Sequence, residues 1–471
     1  MSRGGKLAQN TFILSIGTFL PKLASFITLP ILTGSLTKGE YGTYDLITVL
    51  VSFILPAATL QIQTAAFRFL IDVRSNERRI KSIITNIFAF IIPTSLATLL
   101  ILFFFLPGSE KIRFLICAYF LANILVNGVQ QVLRGLEKYI EYSVSGIVNS
   151  LAKMLFVVIF VLYLRSGLAG AIFALFLSAI ISLVVLVFYA KLYRYIDLSL
   201  ISSTEIRSLI SYSWPMVPNS MSMWVMRVSD RFVVTMFMGL EANAVYSVAN
   251  KLPSLMTLAQ NTFTMAWQEN ASIVSKDKDA DAYYSSMFRT MFDLMAGVLG
   301  LLICTTPILF FILIKGNYEE AYFQMPVLFL AMFFYSQCAY LGGIYVAYKD
   351  TKSVGITTIV AAVCNLIVDM ALIKTIGLYA ASGSTLISYL LLFVFRASDV
   401  HRLVNIQYDM KHILIVLSLL VVESVLYFEQ NPILNVINIV FGIVVFFALN
   451  KSLVKVIWNR GVKIVKMKLR K

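Results

Sequence analysis

The sequence predicts an all-α protein that crosses a membrane about 14 times, and its composition and hydropathy are the basis of this prediction. The chain has 471 residues, of which 59% are hydrophobic and 13% are charged, and this charged share is roughly half that of an ordinary soluble protein. The mean hydropathy is +0.83. A soluble globular domain, a disordered chain and a disulfide-stapled module are therefore excluded.

Long apolar runs define the predicted spans in order. The runs are continuous rather than alternating, which favours helices, and the first is too long for the core of a signal peptide. The four cysteines lie inside the runs without a CxxC spacing, which is typical of buried free thiols. The predicted spans are 11–32, 46–67, 82–106, 114–133, 143–164, 168–190, 213–238, 244–266, 290–314, 323–347, 354–373, 377–395, 413–428 and 433–450.

Basic residues orient these spans, because the cytoplasmic loops of membrane proteins carry an excess of lysine and arginine. With the N-terminus inside, the cytoplasmic segments hold 28 of the 39 lysines and arginines, whereas the outer loops hold six. Both termini are therefore predicted to be cytoplasmic. The same distribution accounts for the net charge of +15, so the basic charge does not indicate a nucleic-acid partner.

The two halves of the chain resemble each other. The segment LTGSLTKGEYGTYDLITVL after the first span has the pattern of FMGLEANAVYSVANKLPSL after the seventh, and aligning Tyr44 with Tyr246 gives a lag of 202 residues. Prolines mark the first two spans of each half, and interrupted spans at matching places are typical of a transporter's moving parts and binding site. We therefore predict six-span lobes at 1–200 and 201–400, followed at 401–471 by two further spans and a basic cytoplasmic tail.

Five basic residues fall inside predicted spans, where an ionisable side chain is costly and usually functional. They are Lys22, Lys153, Arg227, Arg231 and Lys251. We interpret them as cations of a hydrated cavity that binds an anionic substrate, since arginine grips phosphate oxygens bidentately and lysine supplies a point charge. The predicted supporting side chains are Asp230, Gln61, Gln63, Asn219, Asn250, Gln260 and Asn261.

A structural interpretation of some of these charges stays open beside the functional one. Lys153 and Lys251 would then extend toward the membrane surface or pair with acidic residues. Arg231 would form a structural ion pair with Asp230, its neighbour in the chain. Lys22 and Arg227 lie deepest in their predicted spans and are the stronger candidates for substrate binding.

The sequence gives little support to an enzyme. His401 and His412 are the two histidines, and both fall in a predicted cytoplasmic loop. The chain has no phosphate-binding glycine loop and no cluster of metal-ligand residues. We therefore expect no catalytic residue, no cofactor and no metal ion.

Two stretches of the chain resemble a known family. NTFILSIGTFLPKLASFITLPILTGSLTKGEYGTYDLI at 10–47 is similar to the opening of polysaccharide-biosynthesis transporters, and YSWPMVPNSMSMWVMRVSDRFVVTMFMGLEANAVYSVANKLPSLM at 212–256 is similar to the start of their second half. The family comprises the Wzx-type lipid-linked oligosaccharide flippases of the multidrug/oligosaccharidyl-lipid/polysaccharide exporter superfamily. The resemblance implies two six-helix lobes in a V around a central cavity, two further helices that form a lipid-tail groove, and basic cavity positions at Lys22 and Arg227.

The resemblance also implies a function and a location. The protein would move undecaprenyl-diphosphate-linked oligosaccharide units from the cytoplasmic to the outer leaflet of a bacterial plasma (inner) membrane, for capsule, O-antigen or exopolysaccharide synthesis. Its expected partners are that lipid and a polysaccharide polymerase or export machinery, and we expect a monomer that binds no nucleic acid. Two alternatives stay open within the superfamily: a multidrug exporter that exchanges cationic drugs for ions, and a peptidoglycan-precursor flippase.

Overall fold

The computed structural model describes residues 21–73, 75–106, 108–275, 277–348, 350–451 and 454–455. All regular secondary structure in these ranges is helical, so the predicted all-α class is confirmed. Within the described residues, 11 helices are long and apolar enough to cross a membrane. Residues 11–20 of the first predicted span, and nearly all of the predicted basic tail, lie outside the described residues.

The described residues up to Met238 form nine α-helices. Thr37 and Glu40 fix the start of the second, because the Thr37 hydroxyl accepts the Glu40 amide while the Glu40 carboxylate accepts the Thr37 amide. A short π-helix at Val158–Tyr163 continues the sixth. The nine helices are α1 (21–35), α2 (Lys38–Thr59), α3 (Ile62–Asp72), α4 (Glu77–Phe105), α5 (Glu110–Gly135), α6 (Tyr139–Val157), α7 (Gly167–Tyr189), α8 (Ser203–Ser213) and α9 (Met216–Met238).

The rest of the described chain forms eight helices, several of which begin at a polar cap. Asp350, Asp409 and Asn431 each accept backbone amides in the first turn of the helix that follows. The eight helices are α10 (Leu240–Ala249), α11 (Met256–Val274), α12 (Ala280–Leu313), α13 (Glu319–Ala347), α14 (Thr351–Ile376), α15 (Leu378–Asp399), α16 (Met410–Phe428) and α17 (Pro432–Leu449).

Two predicted spans are not continuous helices. The prediction of one helix over 46–67 is wrong, because Leu60 and Gln61 adopt left-handed backbone conformations, with φ of 46° and 59°, and separate α2 from α3. Pro56 lies one turn before this break, where it removes an amide donor from the helical ladder. The prediction over 244–266 is also wrong, since a turn and a 3-10 segment at Pro253–Leu255 separate α10 from α11.

Two further differences from the sequence prediction concern polar segments. The predicted loop between the sixth and seventh spans contains α8, which Arg79 of α4 anchors through an ion pair with Glu205 at 3.0 Å. His412 lies in the first turn of α16 rather than in a loop, and its Nε2 contacts the Asp293 carboxylate on α12. Hydropathy did not reveal α8 because this helix is short and polar on one face.

The described helices group into two compact units. The first unit runs to Thr235 and adds Gly239–Ala244 and Leu313–Gly316. Buried polar contacts join its helices: Gln130 of α5 donates to the Ser145 hydroxyl of α6, and Ser182 of α7 donates to the Ser145 carbonyl oxygen. Such contacts provide hydrogen-bond partners for buried polar groups, which apolar side chains cannot do.

A close backbone approach also lies inside the first unit. A methyl group on Gly42 of α2 would lie 2.0 Å from the carbonyl oxygen of Leu240, at the start of α10. The Asn243 side-chain amide donates to the Gly42 carbonyl oxygen at 3.1 Å. Glycine at position 42 therefore permits this contact between the starts of two helices.

The second unit comprises Met236–Met238, Val245–Ile312 and the chain from Asn317 onward. Trp267 of α11 stacks on Tyr340 of α13 with ring centroids 4.4 Å apart, and its indole N–H donates to the Tyr340 carbonyl oxygen. Arg396 of α15 is buried and donates to the carbonyl oxygens of Cys338 and Val354 and to two threonine hydroxyls. Carbonyl and hydroxyl oxygens thus solvate this arginine in place of water.

Candidate functional site

Helices α2 and α9 of the first unit are joined by an ion pair. Arg231 Nη1 of α9 lies 2.9 Å from Asp45 Oδ2 of α2. The Asp45 side chain is 2% exposed and the Arg231 side chain is 18% exposed, so this pair is largely shielded from solvent. Arg231, one of the predicted substrate-binding cations, therefore has a protein partner.

Asp45 is not among the predicted site residues, because the predicted second span begins at residue 46. In the structure α2 begins at Lys38, and Asp45 lies two turns inside it. The signal that would have found this start is the Thr37-x-x-Glu40 pattern, which is the capping box described above. The Asp230 carboxylate, expected as an alternative partner of Arg231, is buried next to it in the chain.

Aromatic rings fill the middle of the α2–α9 contact. The Trp224 ring of α9 lies 4.5 Å from the Phe53 ring of α2, and it also packs against Phe232 at 5.1 Å. The Trp224 indole N–H is buried and has no acceptor among the described residues. A buried donor without an acceptor is costly, so it is a suitable group for hydrogen bonding to an anionic ligand.

Polar side chains form the other end of the α2–α9 contact, at the break between α2 and α3. Gln61 Nε2 donates to the Ser220 hydroxyl of α9 at 3.0 Å, and Gln63 Nε2 donates to Gln61 Oε1 at 3.2 Å. The Ser213 hydroxyl donates to the Leu60 carbonyl oxygen at 3.0 Å, which satisfies an acceptor freed by the break. The structure therefore brings Gln61 and Gln63 together beside the first turns of α9, as two of the predicted supporting residues.

The contacts on α9 recur along one face of the helix. Ser220, Trp224 and Arg231 contact α2 or the α2–α3 break, and the backbone of Arg227 falls between them at spacings of three and four residues. Residues spaced by three and four lie on the same helical face. The stripe extends over about 16 Å, given a rise of about 1.5 Å per residue. The side chains of Arg227 and Asn219 lie outside the described part of the structure.

A cavity of about 240 Å³ lies between α1 and α6 in the first unit. Lys153 of α6 is the one charged residue among the described residues that line it. The Lys153 ammonium nitrogen lies 6.0 Å from the centre of the Tyr44 ring of α2, within the range of a cation–π interaction. The remaining lining residues are small or neutral: Pro21, Ala24, Ser25, Gly146, Asn149 and Ser150.

The electrostatics of this cavity favour an anion. Its lining brings an ammonium group together with hydroxyl and amide groups, and it includes no carboxylate within the described residues. Lys22 is half-buried on α1, one residue after the cavity-lining Pro21. The structure therefore places two of the predicted cations, Lys22 and Lys153, on the two helices that form the cavity.

The other predicted residues belong to the second unit. Lys251 is half-buried in the turn that follows α10, and the Asn250 side chain of the same turn donates to the Tyr246 carbonyl oxygen of α10. Gln260 is buried in α11, whereas Asn261 is exposed. No group of three or more metal-ligand side chains is assembled within the described residues.

Comparison with solved structures identifies the fold class. The lipid II flippase MurJ in an inward closed conformation matches with a TM-score of 0.71 and 15% identity, over 95% of this chain and 99% of that chain. An inward-facing multidrug resistance MATE family transporter of the MOP superfamily matches with a TM-score of 0.67 and 13% identity, over 84% of this chain and 98% of that chain. A MOP superfamily transporter from Pyrococcus furiosus matches with a TM-score of 0.58 and 13% identity, over 84% of this chain and 95% of that chain.

The fold is thus that of the multi-pass membrane transporters and flippases of the MOP superfamily. A family model described as polysaccharide biosynthesis protein matches residues 7–268, and the chain belongs to this family. The matched range includes α2, α6 and α9, which carry the ion pair and the cavity lysine. No curated protein matches the sequence.

Proposed function

We propose that the protein is a flippase that moves an undecaprenyl-diphosphate-linked oligosaccharide from the cytoplasmic to the outer leaflet of a bacterial plasma membrane. The units would serve capsule, O-antigen or exopolysaccharide synthesis. The observation that carries this proposal is the cavity between α1 and α6, whose described lining holds the Lys153 ammonium group and no carboxylate. Membership of the polysaccharide biosynthesis family supports the same class of substrate.

In this proposal the diphosphate is the group that the cations bind. Lys153 contacts it from α6, Lys22 from α1 and Arg227 from the α2-facing stripe of α9. One pair of unit charges about 4 Å apart contributes about 4 kcal/mol at an effective dielectric constant of about 20. The Trp224 indole N–H adds a neutral donor to this set.

The charge of the diphosphate also gives transport a direction. An inside-negative membrane potential favours outward movement of an anion by about 2.3 kcal/mol per charge per 100 mV. Two phosphate charges that the protein does not neutralise would therefore contribute about 4.6 kcal/mol per 100 mV. This contribution is sufficient to bias alternating access toward export without hydrolysis of a nucleotide.

A transport assay with purified protein tests the proposal. Vesicles that contain the protein are loaded with a fluorescent polyprenyl-diphosphate oligosaccharide, and the outward rate is followed by quenching from outside. We expect Lys153→Ala to weaken binding roughly 10- to 100-fold, as expected for the loss of a charge-assisted hydrogen bond, and Lys153→Arg to retain most of the activity.

Lys374→Ala is the matched control for Lys153→Ala. Lys374 also lies near an aromatic ring, 5.3 Å from the centre of Phe237, but it is on α14 and is not among the described residues that line the cavity. This control should transport at the wild-type rate.

In cells, we expect Lys22→Ala or Arg227→Ala to abolish surface polysaccharide while the protein stays in the membrane. Normal polysaccharide in both of these variants would contradict the cavity assignment.

A second candidate function is export of a peptidoglycan precursor. The likeness to the lipid II flippase covers 95% of this chain, and that observation favours it. Rescue of a strain that has lost its lipid II flippase would support this function, whereas rescue of a polysaccharide flippase mutant alone would support the first. For the first function, we further propose that a polysaccharide polymerase or export machinery takes up the flipped lipid.

A further inference from the structure

Glu423 of α16 is an acid within a candidate membrane span, Met410–Phe428. Its side chain is 0% exposed. Neither Oε1 nor Oε2 accepts a hydrogen bond from any described residue. The main-chain carbonyl oxygen of Glu423, in contrast, accepts the side-chain amide of Asn438 of α17 at 3.0 Å.

Glycines of two neighbouring helices pack closely against the Glu423 carboxyl group. A methyl group on Gly300 of α12 would lie 2.6 Å from Oε2 and 2.9 Å from Oε1. A methyl group on Gly442 of α17 would lie 3.5 Å from Oε1 and 2.7 Å from the Cys304 sulfur atom. The carboxyl group is therefore enclosed by α12 and α17, which leaves no space for a hydrated cation.

The chemical surroundings of Glu423 cannot balance a negative charge. Among the described residues, the titratable group beside it is the Cys304 thiol of α12, and α17 contributes Asn438 and Gly442, which do not titrate. No described lysine, arginine or histidine donates a hydrogen bond to the carboxyl group. An ionised carboxylate in such a place loses its hydration without gaining a partner, whereas the protonated acid avoids most of that cost.

We propose that Glu423 is a proton-binding site, and that its bound proton keeps α16 and α17 packed against α12. The proton turns an acceptor-only group into a hydrogen-bond donor, and Asn438 Oδ1 nearby on α17 is a buried acceptor without a partner among the described residues. Release of the proton leaves a carboxylate that must reach water, and this separates the three helices. Proton binding and helix packing at Glu423 do not depend on which lipid the protein moves.

Infrared spectroscopy of the full-length protein in lipid nanodiscs tests proton binding directly. At neutral pH, we expect the C=O band of a protonated carboxyl group in the wild type and its loss in Glu423→Gln, which keeps the shape and neutrality of the acid. Glu429→Gln is the matched control, because Glu429 is exposed at the end of the same helix. A spectrum without the band in the wild type, or with the same band in Glu423→Gln, would overturn the proposal.

Thiol labelling tests the predicted separation of the helices. Cys304 beside Glu423 and Cys338 on α13 are both buried, so Cys338 corrects for the general rise in thiolate with pH. We expect the ratio of Cys304 to Cys338 labelling to rise at least threefold between about pH 6 and about pH 9 in the wild type and to stay constant in Glu423→Gln. An equal rise in both proteins would contradict a role for this proton in packing.

Discussion

Arg231 of α9 and Asp45 of α2 form an ion pair at 2.9 Å although they are 186 positions apart in the chain. The pair separates the predicted cations into two kinds. Arg231 is neutralised by a buried acid of the protein, whereas Lys153 lines a cavity whose described residues include no acid. We therefore assign Arg231 to holding α9 against α2, whereas substrate binding by Lys153 belongs to the proposed function.

This assignment predicts how the α2–α9 contact responds to mutation. Arg231→Ala leaves Asp45 buried without this cation, so the free energy of unfolding should fall by about 3–5 kcal/mol. The double variant Asp45→Ala with Arg231→Ala removes both charges and should regain much of this loss. Unfolding titrations with a denaturing detergent measure both values.

The exposed pair of Arg289 and Asp409 provides the control for this cycle. These side chains are 56% and 49% exposed and lie 3.3 Å apart, so Arg289→Ala should change stability by less than about 1 kcal/mol. A loss for Arg231→Ala no larger than that for Arg289→Ala would contradict a structural role of the buried pair.

The close approach at Gly42 predicts a second effect on stability. In Gly42→Ala, the new methyl group would lie 2.0 Å from the Leu240 carbonyl oxygen, so the backbone must shift. We expect a loss of about 1–3 kcal/mol in the free energy of unfolding, as is typical of overpacking. Gly39→Ala, three residues earlier in α2, meets nothing within 4 Å and should be neutral or slightly stabilising. Equal stability of the two variants would show that the helices can separate at little cost.

The break between α2 and α3 predicts a substitution that stabilises the protein. Leu60 has a left-handed backbone with φ of 46°, which costs a residue with a Cβ atom about 1–2 kcal/mol. Leu60→Gly relieves this strain and should raise the free energy of unfolding by about 1 kcal/mol. The same substitution at Leu100, which is exposed inside α4, should lower it by about 1 kcal/mol. The free energy of unfolding should therefore change in opposite directions in Leu60→Gly and Leu100→Gly, and a fall in both variants would contradict strain at Leu60.

The N-cap of α14 predicts a dependence on pH. Hydrogen bonds from the Ser353 hydroxyl and amide, together with the Arg402 guanidinium, hold the pKa of Asp350 below its usual value of 3.8. A lowered pKa means that the cap stabilises the fold above pH 3.8 and loses this contribution as the pH falls through the pKa of the folded state. Stability should therefore fall more steeply with acid in the wild type than in Asp350→Asn, which binds no proton. Parallel pH curves for the two proteins would refute this role.

The sequence predicts those features that depend on local composition. The all-α class and most span positions follow from apolar runs, because any helix in hydrocarbon needs about 20 such residues. The break at Leu60 and Gln61 was missed because two apolar or neutral residues in left-handed conformations leave no trace in hydropathy. The start of α2 was missed because Lys38, Glu40 and Asp45 lower the local hydropathy.

The candidate site was harder to predict than the fold. Depth in a predicted span marks Lys153 and Arg231 alike, and the ion pair of Arg231 could not be foreseen because Asp45 comes from another part of the chain. Glu423 illustrates the same limit, because its enclosure depends on glycines of α12 and α17. Such contacts are set by tertiary packing rather than by any pattern around the residue itself.

The contact at Gly42 also bears on how such a chain evolves. Under the predicted lag of 202 residues, Gly42 corresponds to Ala244, and the Ala244 amide nitrogen is within 3.4 Å of a methyl group placed on Gly42. If the two segments are repeats of one ancestral unit, positions 42 and 244 are equivalent and lie next to each other. Two identical subunits would have to place the same residue on both sides of such a contact. Gene duplication followed by fusion removes this constraint, because the two copies can then carry different residues. The first copy can have glycine at position 42 while the second has alanine at position 244.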